Sequence, residues 1–128
     1  MDFKSGVIDI DGETVSPGYT FEDFQRSKFF EGQDGIRIIQ LKDTAEISGN
    51  NYVVSLFFRD KRLYMLSLFC IDIDLPFSEE AKRKQFHDEI LEKHGLNTES
   101  FFEWGNIKSV YDPKGNVSSI NITYKERN

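Results

Sequence analysis

The stretch Leu63–Leu75, LYMLSLFCIDIDL, decides how this chain folds. At the two-residue period of a strand, Leu63, Met65, Ser67, Phe69, Ile71, Ile73 and Leu75 share one side. Tyr64, Leu66, Leu68, Cys70, Asp72 and Asp74 share the other. The first half is apolar on both sides, which predicts a strand covered on both faces. The second half is amphipathic, with Asp72 and Asp74 together on one face. The whole reads as the central strand of a sheet.

Upstream, the Asp60-Lys61 turn leads back to a strand over Tyr52–Arg59. Before it, Ile36–Ile47 reads as another strand. Ile39 and Leu41 fall on one face, Ile36, Ile38 and Gln40 on the other. Ser48-Gly49-Asn50-Asn51 makes the connecting turn, with Gly49-Asn50 supplying the positive φ that such hairpins require. Three strands joined by short turns predict an antiparallel meander. At the N-terminal side, Phe3–Asp11 reads as a strand ended by Asp11-Gly12. Thr20 is placed as an N-cap with Asp23 three residues on, so a short helix starts at Phe21 and fades near Ser27.

Downstream, Pro76 ends the meander. Ser78 as N-cap and Gly95 just past the end predict a helix over Ser78–His94. Glu79–Arg83, Glu80–Lys84, Lys84–Asp88 and Glu89–Lys93 are opposite charges one turn apart. Phe86, Ile90 and Leu91 form only a thin apolar stripe, so this helix should lie across one face of a sheet, with Leu96 folding back on Leu91. Phe101–Tyr111 and Val117–Tyr124 read as a final hairpin around Asp112–Asn116, with Ile120, Ile122 and Tyr124 inward. The expected fold is α+β, one domain over residues 1–128. It is a single antiparallel sheet, meander plus C-terminal hairpin, with one long helix packed on one face and a short N-terminal helix.

Sixteen Lys+Arg against twenty-two Asp+Glu give a formal charge of −6. That balance disfavours a nucleic-acid partner and favours a basic protein one. The single cysteine excludes an internal disulfide and fits a reducing cytoplasm. The opening residues carry no basic-then-apolar leader, and the longest apolar run is too short for a membrane span.

Few residues carry chemistry. Ile8-Asp9-Ile10-Asp11 recurs as Ile71-Asp72-Ile73-Asp74. Each Asp pair sits on one strand face about 7 Å apart. As a carboxylate pair or ion site each is conceivable, as is a solvated strand end. A third reading joins Asp9, Asp11, Asp72 and Asp74 with Glu13, Glu22 and Asp23 in one negative binding face. His87 and His94 lie about 10 Å apart along the helix, too far to share a metal ion directly. Cys70, mid-strand among apolar residues, is expected to be a buried, inert thiol. Trp104 and Tyr111 read equally as interface anchors and as sheet-edge core residues. No phosphate loop, zinc signature or nucleophile elbow is present, so no catalytic, cofactor or metal residue is assigned.

The run Glu103–Asn116, EWGNIKSVYDPKGN, followed by Ser118–Ile122, SSINI, together with Ser16–Thr20, SPGYT, leading into Phe21–Phe24, FEDF, resembles small acidic bacterial immunity proteins. Proteins of that type accompany contact-dependent or polymorphic toxins. The likeness spans most of the chain, but its motifs are turns and strand ends and transfer no catalytic residue. It implies a cytoplasmic, non-enzymatic inhibitor that binds a co-produced toxin domain, often a basic nuclease, and occludes its active site. Three rivals stand beside it. One is a small-ligand module with an apolar pocket lined by Phe57, Tyr64 and Phe69. Another is an enzyme using the Asp pairs. The third is self-association through an edge strand.

Overall fold

A computed structural model describes residues 3–34 and 37–125. The chain is α+β, dominated by a seven-stranded antiparallel sheet. Its strands are β1 (Ile8–Ile10), β2 (Glu13–Val15), β3 (Ile38–Gln40), β4 (Ala45–Ile47), β5 (Asn50–Arg59), β6 (Arg62–Cys70), β7 (Glu99–Phe102), β8 (Gly105–Asp112) and β9 (Val117–Tyr124). The helices are α1 (Phe21–Gln25) and α2 (Lys82–Lys93). The large sheet runs β3-β5-β6-β9-β8-β7, with β4 paired to β5 beside β3.

Several details depart from the sequence reading. There are two sheets, because β1 and β2 form their own ribbon around the Asp11-Gly12 turn (φ 49° and 88°). The expected Ile36–Ile47 strand is two short strands broken at Lys42-Asp43, and Ile36 lies outside the described residues. The expected strand Phe101–Tyr111 is split by Trp104, giving β7 and β8. The β4–β5 turn uses Ser48-Gly49 (φ 49° and 90°), one residue earlier than expected, while Asp60-Lys61 turns as read (φ 51° and 63°).

The central strand is shorter than expected, because Ile71 onward leaves the ladder. It is also bulged. Phe57 pairs with Met65 and Phe58 with Leu63, so Tyr64 is the extra residue. The bulge reverses the face of everything before it, which puts Leu63 on the side of Leu66, Leu68 and Cys70. Those three are fully buried, whereas Met65, Ser67 and Phe69 are only half-buried. The strand is therefore covered on one face, not two.

All the covering elements lie on that one face. Thr20 caps α1 through a complete capping box with Asp23, and α1 sends Phe24 against Phe58. Helix α2 packs on β8 and β9, burying Ile90 and Leu91. It ends in a Schellman motif, Leu96 N–H to Leu91 O and Gly95 N–H to Glu92 O, both at 2.9 Å. Its start differs from expectation. Ser78 caps nothing; Phe77–Glu79 is a 3-10 turn and α2 begins only at Lys82. Of the expected charge pairs Lys84–Asp88 forms at 3.1 Å, but Arg83 turns to Glu80 instead of Glu79.

The opposite face of the sheet is bare except at Phe69, whose ring lies 4.3 Å from the Arg83 guanidinium. Antiparallel register arranges its side chains in rows across the strands. One row runs Ile38, Phe57, Met65, Thr123, Asn106, Phe101. The next runs Gln40, Ser55, Ser67, Asn121, Lys108, Glu99.

β6 and β9 share four rungs, from Met65–Thr123 to Leu68–Ile120, and then part. Helix α2 fills the fork with side chains. His87 Nε2 accepts the Cys70 N–H at 3.1 Å, and Arg83 donates to Cys70 O at 2.6 Å and Ile73 O at 3.1 Å. His87 is fully buried, so its neutral form is favoured, and the Arg83 guanidinium adds to the effect. Together they hold its pKa down at about 4 from 6.5, with Asp88 and Glu80 opposing. The unfolded chain thus takes up a proton below 6.5 that the folded chain refuses until about 4. Stability should be undiminished above pH 6.5 and fall by about 3 kcal/mol as pH drops to 4. Urea unfolding at stepped pH should show this slope, and His87→Gln should flatten it. A level wild-type profile down to pH 4.5 would remove the argument.

Candidate acidic interface

The repeated Ile-Asp-Ile-Asp segments meet different fates. In the first, Asp9 closes the ribbon turn by accepting the Gly12 N–H at 2.6 Å. Asp11 docks that turn on β4: its N–H reaches Glu46 O at 3.2 Å and its Oδ1 accepts the Glu46 N–H at 3.1 Å. Glu13 accepts the Lys28 N–H at 3.2 Å, and the Lys28 ammonium bonds the Asp11 carbonyl.

In the second segment, Asp72 anchors the β4–β5 hairpin. Its carboxylate accepts from Asn50 Nδ2 at 2.9 Å and from Asn51 N and Nδ2, both at 3.1 Å. These bonds, the Asn50 amide foremost, hold its pKa below the usual carboxylate value, so the group stays ionised. Asp74 is exposed two residues further on.

Glu46 faces Asn51 across the β4–β5 ladder, and Asn51 holds Asp72. Asp11, Glu46 and Asp72 therefore follow one another across adjacent segments as an acidic ridge, with Asp9 and Glu13 behind it on the ribbon. Glu46 was missed in the sequence because it sits in a strand with no acidic motif. Its signal was the alternation Ala45-Glu46-Ile47, which sends it outward.

The other candidates do not join this ridge. Glu22 and Asp23 lie on α1, whose first N–H bonds Lys61 O at the far end of β5. Nine strand rises separate Asn50 from Arg59, about 30 Å. Asp23 is spent in the capping box, and both acids pair loosely with Arg26 at 3.8–3.9 Å. Trp104 and Tyr111, both half-buried, make contacts within the chain. Trp104 stacks between Phe102 and Tyr124, with centroids at 5.2 and 5.5 Å, and donates to Lys4 O at 2.8 Å. Tyr111 donates to Asn116 Oδ1 at 2.7 Å, and Asn116 in turn donates to Phe77 O.

No group of three or more His, Cys, Asp or Glu placed to hold a metal occurs among the described residues. Burial pushes the Cys70 thiol up to about 11, so it is protonated at neutral pH. His94 stacks edge-on to Phe3 at 4.6 Å. Of the imagined apolar pocket, Phe57 and Tyr64 touch at 6.1 Å, but Phe69 lies four rungs from Met65 along β6 in the direction away from Tyr64, at Val53. Tyr64 instead borders an open cleft of about 700 Å³ with Phe21, where Arg37, Arg59 and Lys61 stand beside Asp34 and Asp60. None of the described helices is long and apolar enough to cross a membrane. Comparison with family models, with curated proteins and with solved structures finds no match to this chain.

Proposed function

We propose that the protein works by stoichiometric binding, without catalysis, as an immunity-type inhibitor in a bacterial cytoplasm. Its partner is a basic toxin domain, a nuclease in the most specific form, whose active site it occludes. The supporting observation is the ridge Asp11–Glu46–Asp72, in which the Asp11 and Asp72 carboxylates are fixed by backbone and amide bonds and so lose little freedom on docking, with Glu46 on the strand between them. Fixed negative charge of this kind steers a basic partner and sets its register.

The test uses the toxin domain that this reading places beside the gene. Binding is followed by stopped-flow and calorimetry for the wild type and for Asp11→Asn/Glu46→Gln/Asp72→Asn. The triple variant should associate about tenfold more slowly at low salt, with a flatter salt dependence. Unchanged rates and salt dependence would take the ridge out of the interface.

A further inference from the structure

We propose that the bare face of the sheet is a self-association surface on which a second copy of this chain docks face to face. A chain that is 30% charged keeps that face nearly uncharged. Within the central rows its charged side chains are Lys108 and Glu99, which pair with each other at 3.5 Å. Away from Glu46 and Asp112, which stand in the last row beside Asn51 and Val117, the face offers a basic partner no complement and a like-charged copy no repulsion. Depletion of charge with Phe, Met and Val in its place is the composition of an interface core. Ile38, Phe101, Ile71 and Val117, four of the large apolar residues most exposed among those described, lie at its margins.

The strand order supplies the symmetry. The path β3-β5-β6-β9-β8-β7 has its midpoint between β6 and β9. A two-fold axis along the strands at that midpoint keeps each row in place and reverses it left to right. Ser67 then meets Asn121 of the second copy, and Val53 meets Val110. Ile71 meets Val117, and Gln40 meets Glu99. Ile38 likewise meets Phe101, so the apolar margins fall on one another, while Phe57, Met65 and Phe69 meet the polar Asn106, Thr123 and Ser119. Four rows on β5, β6, β9 and β8 and two on β3 and β7 cover about 600 Å² per copy, so about 1,200 Å² in all, enough for a specific though not a tight dimer. The two sheets would stack about 10 Å apart as an aligned sandwich.

The mass in solution tests this, by light scattering and sedimentation across a concentration series. The wild type should approach twice 14.9 kDa as concentration rises. Ser67→Arg, beside the axis, should weaken association at least about a hundredfold with an unchanged circular dichroism spectrum. Glu92→Arg, on the exposed side of α2, should leave it intact. Should Ser67→Arg not fold, Val53→Cys/Val110→Cys decides. These positions are too far apart to join within one chain but should cross-link between copies with a short bismaleimide. A wild type that stays monomeric throughout would overturn the proposal. So would a dimer indifferent to Ser67→Arg, which would mean pairing through an edge strand, or a double-cysteine variant that stays uncross-linked.

Discussion

Gly105→Ala should abolish the native fold or cost on the order of 4 kcal/mol or more. Gly105 opens β8 opposite Tyr124 with φ at 155°. A Cβ there would sit 1.8 Å from Thr123 O and 2.9 Å from Thr123 C. Both are backbone atoms of a central strand, so no side chain can swing aside to relieve the overlap. β8 would have to leave β9 at that end, unstacking Trp104 from Tyr124. Trp104 is the chain's single tryptophan, so its fluorescence reports the event directly. Gly6 is the control. A Cβ there meets the Trp104 ring at 2.7 Å, and a ring can move where a carbonyl cannot. Gly6→Ala should therefore cost less, although its φ of 75° still strains it. Equal effects from the two would show that the β8–β9 approach is not the constraint.

Arg83→Met should destabilise by about 3–5 kcal/mol. The guanidinium is buried, paired to Glu80 at 2.5 and 3.2 Å, bonded to two carbonyls of the departing β6 chain, and stacked over Phe69 at 4.3 Å. Methionine keeps the volume but strands a nearly buried carboxylate and leaves the Cys70 carbonyl without a donor. Glu80→Met removes only the charge partner and should cost less. The double variant should recover part of the Arg83→Met loss and no more, because the carbonyls remain unserved. Urea midpoints with unchanged slopes are the measurement. Full recovery in the double variant would mean the carbonyl bonds contribute nothing.

The same two residues show where local reading stops. Periodicity placed α2 on a sheet but chose Phe86, Ile90 and Leu91 as its inward face. Nothing local marks Arg83 and His87 as inward, because their partners are carbonyl and amide groups of Cys70, 13 and 17 residues away. The start of α2 lies at Lys82 and not after Ser78, because Phe77–Glu79 closes as a 3-10 turn. Turns were legible where the residue types left one choice, as at Asp60-Lys61. Ser-Gly-Asn-Asn offered two overlapping choices. The outcome spends both asparagines on Asp72, a contact spanning more than twenty residues. Trp104 gave no sign of a turn because it is held there by Lys4, a hundred residues earlier. The acids of the candidate interface were legible as residues but not as a group. The ridge depends on the ribbon docking at Glu46, while Glu22 and Asp23 are carried away by α1.

The four-rung junction of β6 with β9 has a kinetic meaning. On either side of it the pairing is local: β5 with β6 closes over two residues, and β7, β8 and β9 follow one another with α2 against them. Each leaf can assemble from neighbours in sequence, at small loop-closure cost. Joining the leaves closes the loop between Leu68 and Ile120, a step for which the entropic cost falls due before the contacts repay it. The buried arginine and histidine stand at the mouth of that junction, so they act as its clasp, fastened only once both leaves have arrived.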